Sequence, residues 1–180
     1  MKTVQRTTTS QGSRLNASVT YRPIGVLHGE HTVAAETPIQ PAYAKGCQGR
    51  VEVFPEFAEG LVDLDGFSHI YIIYHFHQAP APRLRVKPFL EDVERGVFAT
   101  RSPARPNPIG LSVVELVRRE GNVLHLDGLD VLDGTPLLDI KPYVARFDRV
   151  ETTRNGWQDG VDERHAQERG RRGYRGKATT

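Results

Sequence analysis

The chain has 180 residues, a formal net charge of +2 and a single cysteine, Cys47. That length fits one domain able to bury a core without cross-links, and one cysteine excludes a disulfide framework within the chain and suits a reducing compartment. No apolar run reaches membrane-spanning length, and the small net charge does not by itself argue for nucleic acid.

Residues 1–20 are rich in Thr, Ser and Gln and lack the apolar centre of a signal peptide. We therefore expect a flexible lead-in, then a domain over residues 21–148, in a soluble cytoplasmic protein. Tyr21–His28 reads as a first strand interrupted by Gly25, followed by a polar loop, Gly29–Lys45. Arg50–Phe54 reads as a short strand, and Pro55–Gly60 as a helical turn opened by proline and closed by glycine. Ser68–His77 carries the strongest strand signal, an almost continuous β-branched and aromatic run that predicts cover on both faces. Gln78–Pro88 is a proline-rich loop and Gly96–Thr100 a short strand. Leu111–Arg118 and Asn122–Leu126 flank a glycine turn and predict a hairpin. Leu129–Leu138 holds a tight turn at Asp133-Gly134. Beyond Phe147 the pattern fades, and residues 149–180 read as a charged, disordered tail. Its Arg169–Lys177 stretch has five cations, three glycines and Tyr174. Such a segment either solubilises or follows a phosphate backbone and stacks a base.

Short strands, frequent Gly and Pro and no long amphipathic helix predict a mostly β fold, a small and mainly antiparallel sheet or barrel. Neither the G-x-G-x-x-G fingerprint nor a P-loop occurs, so a Rossmann-like sheet is not expected.

Two segments concentrate the chemistry. Arg101–Ser112 has three prolines in six positions, Pro103 to Pro108. Its backbone is stiff, so it offers Arg101, Ser102, Arg105 and Asn107 at low entropic cost; the plainer reading is a rigid crossover. Asp130–Tyr143 joins a turn to three carboxylates, Asp130, Asp133 and Asp139, and to Lys141 and Tyr143. A carboxylate beside a base edge can accept an amine proton. His75 and His77 share a strand face, but no third ligand has metal-site spacing, so no metal is expected. Cys47, between two glycines in a loop, reads as a packing cysteine.

Together, Pro38-Ile39-Gln40, Phe67–His69, His75–Gln78, Gly96–Ser102, Arg105–Ser112 and Asp133–Tyr143 closely resemble the TsaA-like family of TrmO-type tRNA methyltransferases. The resemblance runs from about Arg22 to Phe147. It implies a small antiparallel β-barrel, a homodimer with its cofactor near the subunit interface, and S-adenosylmethionine as that cofactor. The implied reaction methylates N6 of threonylcarbamoyladenosine, next to the anticodon at tRNA position 37, so the partner is the anticodon stem-loop. By the same resemblance, Pro38, Ile39 and Gln40 match a cofactor loop, His77 and Gln78 a cofactor-contacting pair, Arg101 the arginine of an A-T-R-S segment, and Leu111 an apolar cofactor contact. Leu129, Asp130, Val131, Leu132 and Asp133 match the segment lying against the adenosine. Arg105, Asn107 and Lys141 are expected to shape the substrate side.

A urea-substituted adenine N6 is a poor nucleophile, so a proton acceptor helps the transfer. The candidates are Asp133 first, Asp139 second, and Tyr143. Arg101 and Arg105 suit phosphates or the threonyl carboxylate. Many bacterial members carry a second C-terminal domain, whereas this chain ends soon after the expected barrel; its basic tail is a possible substitute. A family methyltransferase with another RNA or small-molecule substrate, and a non-catalytic barrel binding adenosine or RNA, are the remaining readings.

Overall fold

The computed structural model describes residues 19–172. Six of its strands close a barrel: β1 (Gly25–Gly29), β2 (Gln48–Val53), β3 (His69–His75), β6 (Ile109–Glu120), β7 (Val123–Asp127) and β8 (Thr135–Pro142). Around the barrel the order is β1-β2-β7-β6-β3-β8, and every neighbouring pair is antiparallel. Two short strands, β4 (Arg85–Val86) and β5 (Arg95–Gly96), pair outside it. A four-residue helix, α1 (Ala145–Asp148), follows the last barrel strand, and α2 (Glu163–Arg171) comes later. The fold is mostly β, with few and short helices. No described helix is long and apolar enough to cross a membrane.

The barrel interior follows from period-two alternation. Ile70, Ile72 and Tyr74 of β3 point inward with Val114 and Leu116 of β6, Leu124 and Leu126 of β7, and Leu27, Val51, Val53 and Leu137. Pro55–Leu61 forms a 3₁₀ helix that brings Leu61 and Phe57 to this core. The β6–β7 hairpin turns on Gly121 and Asn122, with Glu120 paired to Val123. Gly121 has φ +62 at the first central position, where the tight turn asks for glycine. Asn122 then ties the turn to β2, its side-chain amide donating to the Val53 carbonyl at 2.6 Å.

Three expectations change. The β3 run is covered on one face only: Ile70, Ile72 and Tyr74 are buried, but Tyr71 and Ile73 are half-buried on the outer wall. Within the chain, that outer face is itself apolar and only partly covered. In Gly96–Thr100 only Gly96 pairs as a strand, and Val97–Ala99 winds into a 3₁₀ turn that buries Val97. Of Leu129–Leu138, only the part from Thr135 enters a strand, which runs to Pro142, because Leu129 is held by Cys47 and Leu132 bridges His31 instead of a neighbour on the sheet.

Within residues 149–180, read from sequence as a tail, the structure has a 3₁₀ helix at Gly156–Gly160 and then α2. Asp162 caps α2, its Oδ1 accepting from the His165 amide at 3.0 Å. Ala166 and Gly170 are its buried residues. Tyr174 and the rest of the basic stretch past Arg172 lie outside the described residues.

Candidate functional site

One mouth of the barrel gathers the end of β3, the start of β8 and three loops. Gln40 Oε1 accepts a hydrogen bond from Arg101, and Gln40 Nε2 donates to the Ile39 carbonyl at 2.6 Å. The pair joins the Pro38–Gln40 loop to the proline-rich loop. Beside it, the Thr135 hydroxyl donates to the Leu132 carbonyl at 2.7 Å. That hydrogen being used, His77 Nδ1, 3.3 Å away, is the donor to Thr135 Oγ1. His77 Nε2 is then the acceptor for the Gln78 amide at 3.3 Å. His77 and Gln78 are thus oriented by β8, with one tautomer selected.

Below this rim lies a buried polar chain. Ser112 Oγ donates to Asp130 Oδ1 at 2.7 Å, and the Tyr74 hydroxyl, 3.1 Å from Ser112 Oγ, donates to it in turn. All three residues are buried. Burial pushes the Asp130 carboxyl up to about 7, against the opposing pull of Ser112, a backbone hydrogen bond and the Arg101 charge. Burial also raises the Tyr74 phenol, with the Asp130 charge adding to it. Gly110 is what lets Tyr74 sit there: a Cβ on Gly110 would overlap the Tyr74 ring. The sequence marks Asp130 as a candidate, Ser112 only as the end of the Arg101–Ser112 segment, and Tyr74 not at all. The only available signal was two polar groups on the inward phase of apolar strands, and which of them meet depends on register.

The Leu129–Asp133 segment is fixed from behind. The Cys47 carbonyl accepts from the Gly128 and Leu129 amides, each at 3.1 Å, and the Asp133 amide donates to the His31 carbonyl at 2.7 Å. Leu129 and Val131 point into the core, leaving Leu132 half-buried. The Asp133 carboxylate is drawn to β1, where Oδ1 accepts from the Gly29 amide and meets His28 Nδ1, both at 3.2 Å.

Other predicted residues sit elsewhere. Arg105 folds back, donating to the carbonyls of Thr100 at 3.2 Å and Ser102 at 3.3 Å. It braces its own loop, while Asn107 stays exposed. Leu111 lies on the outer barrel wall, 55% exposed, paired in register with Ile73. Ile73 in turn pairs with Asp139, whose Oδ2 is 2.8 Å from Lys141 Nζ. Tyr143 packs against Tyr71 at 5.6 Å, beside His69 at the far end of β3. Tyr143 lies six residue steps beyond Leu137, roughly 20 Å of extended chain. A single chain therefore joins Gln40, His77, Gln78, Arg101 and Asp130–Leu132 near one mouth, and leaves Leu111, Asp139, Lys141 and Tyr143 along the wall.

A closed antiparallel barrel with a charged, pre-ordered mouth defines the class: a ligand-binding β-barrel built without a dinucleotide-type sheet. A profile of the tRNA-methyltransferase O N-terminal domain matches residues 26–149. A probable S-adenosyl-L-methionine-binding protein of Pyrococcus abyssi is 57% identical over 139 residues, covering 77% of this chain and 76% of that protein. The human tRNA (adenine(37)-N6)-methyltransferase is 39% identical over 133 residues, 70% of this chain but 30% of the human protein. A crystal structure of TrmO from Pseudomonas aeruginosa superimposes with a TM-score of 0.66 at 40% identity, covering 78% of this chain and 63% of that one. The chain belongs to the TrmO family of S-adenosylmethionine-dependent tRNA methyltransferases.

Proposed function

We propose that this chain methylates N6 of threonylcarbamoyladenosine at tRNA position 37, using S-adenosylmethionine, as a cytoplasmic homodimer. The carrying observation is the barrel mouth, where Gln40–Arg101, His77–Thr135 and Ser112–Asp130 lie beside the Leu129–Asp133 segment. This donor set fits the cofactor's parts. Arg101 and the amides of Gln40 and Gln78 suit a carboxylate, Leu132 gives an apolar wall, and the carboxylate of Asp130 suits a cation. The cofactor, when bound, supplies an activated methyl group.

The chain's own residues orient and deprotonate. Arg101, already tied to Gln40, is held in place before any ligand arrives, which lowers the ordering cost of binding. Asp133 is the first candidate proton acceptor: both its bonds from β1 end on Oδ1, leaving Oδ2 for an N6 proton. Asp139 and Tyr143 are the second and third, with Lys141, Asn107 and Arg105 on the substrate side. Leu111, Asp139 and Lys141 lie on the outer wall and Tyr143 at the far end of β3, which favours a site completed by the wall of a second copy. The anticodon loop suits such an enzyme because its bases can be splayed from the stack.

The test is to incubate the protein with S-adenosylmethionine and threonine tRNA bearing the threonylcarbamoyl group, then weigh the nucleosides. A gain of one methylene on that nucleoside is expected. Cofactor binding without the gain would reassign the substrate. In the same assay Asp133→Asn is expected to lower turnover about 100-fold or more with cofactor affinity retained; full turnover would remove Asp133 as the acceptor.

A further inference from the structure

The segment after residue 149 lies beyond the family match, yet it is fastened to both halves of the barrel mouth. The Ile39 amide, inside the Pro38–Gln40 loop, donates to the carbonyl of Gly170 in α2 at 3.0 Å. Gly170 is buried against the Tyr43 ring, and a Cβ there would come within 2.6 Å of two ring carbons. Only glycine lets the α2 backbone approach closely enough for the Ile39 bond. On the other side, the Trp157 indole donates to the Ala99 carbonyl at 2.8 Å, two residues before Arg101. A third fastening secures the helix end: Arg169 donates to the Phe89 carbonyl and to Asp92, at 3.3 and 3.2 Å, and the Arg172 guanidinium lies 4.3 Å above the Phe89 ring.

These contacts have a common consequence. Gln40 follows Ile39 directly, Arg101 follows Ala99 by two residues, and the two side chains hydrogen-bond to each other. The C-terminal segment therefore holds the two loops whose meeting forms that pair. The Gln40 loop has no place in the sheet; between buried Pro38 and Ala44 it carries a three-residue 3₁₀ turn at Pro41–Tyr43. We propose that residues 156–172 act as a strap that sets the geometry of the cofactor loop, with Gly170 and Trp157 as its positioning residues. The proposal rests on the reading that Gln40 and Arg101 hold the cofactor. It assigns part of the cofactor affinity to residues that touch no cofactor and lie outside the family module.

The test uses the full chain and titrates S-adenosylmethionine calorimetrically against four proteins: wild type, Gly170→Ala, Gly170→Ala with Tyr43→Ala, and Trp157→Phe. Gly170→Ala pushes α2 off the loop and is expected to weaken binding about tenfold. Removing the Tyr43 ring in the double variant makes room for the methyl group and should restore most of that loss, which a merely unfolded helix would not show. Trp157→Phe keeps the ring but loses the hydrogen bond, for an expected three- to fivefold loss. The apparent KM for S-adenosylmethionine should rise in step while kcat at saturation stays near wild type. Wild-type affinity in both Gly170→Ala and Trp157→Phe would overturn the strap alone. Failure of the wild-type chain to bind would overturn the cofactor reading, and the strap with it.

Discussion

The mouth and the outer wall of this barrel are built from the same strands and have opposite characters. At the mouth, β3 and β6 turn Tyr74 and Ser112 inward to meet Asp130, and every hydroxyl hydrogen in that chain has a destination. On the wall, the alternate residues of the same strands, Ile73 and Leu111, face outward, and Ile109 and Leu111 are 40% and 55% exposed. A one-residue step along a strand thus separates a satisfied polar interior from an uncovered apolar surface. The difference teaches that the polar groups at the mouth find their partners within one chain, whereas the apolar side chains of the wall stay exposed in it.

The largest expected effect breaks the mouth. Arg101→Ala removes the cation and leaves Gln40 without its partner, and it should weaken S-adenosylmethionine binding by about 100-fold in calorimetry. An unchanged affinity would move the site away from the mouth.

A smaller effect sharpens the character of the interior. Burial raises Asp130 to about 7, whereas an unfolded aspartate titrates near 4. Between those values the folded chain holds a proton that the unfolded chain has released. The Asp130 contribution is thus full at acid pH and is lost as the pH rises through about 7. Asp130→Asn, still able to accept from Ser112, should remove this dependence. Compared with wild type, its unfolding free energy should fall by about 2–3 kcal/mol less between pH 5 and pH 8 in urea titrations. Parallel curves would show that Asp130 is better solvated than its burial implies.

The smallest effect on stability is expected at the wall. Leu111→Glu adds an exposed charge and should change the stability of the single chain by no more than about 0.5 kcal/mol. If the wall is where a second copy docks, the same change should halve the mass measured by light scattering. A dimer persisting through Leu111→Glu would place the interface elsewhere.

Much of the fold was legible because local chemistry dictated it. The β6–β7 hairpin followed from Gly121 between two apolar alternations, and the turn after Asp133 from Gly134, which has φ +76. Where sequence reading fell short, the deciding contacts were distant. Nothing in the Gly96–Thr100 stretch reports that β5 has only Arg95 and Gly96 to offer β4. Helix α2 escaped notice because it docks through Ala166 and Gly170, and small residues leave no apolar stripe to detect. For the candidate site, the motifs named Gln40, His77 and Arg101, but no spacing announces that Tyr74 and Ser112 stand beneath them. Likewise, nothing local turns Asp139 to the outer wall or carries Tyr143 to the far end of β3; the β8 register and length do.

The closing seam of the barrel has a kinetic meaning. Strands β1 and β8 are joined by three paired positions, Gly25–Leu137, Val26–Pro136 and Leu27–Thr135, each linking residues more than a hundred apart. Ends so far apart meet only after most chain entropy has been surrendered, so this seam is expected to zip last in folding and to part first in fluctuation. The Asp133 clasp on His28 and Gly29 sits beside it. Breathing of the seam would therefore loosen the Leu129–Asp133 segment, which the Asp133 clasp ties to β1, before any other wall of the barrel.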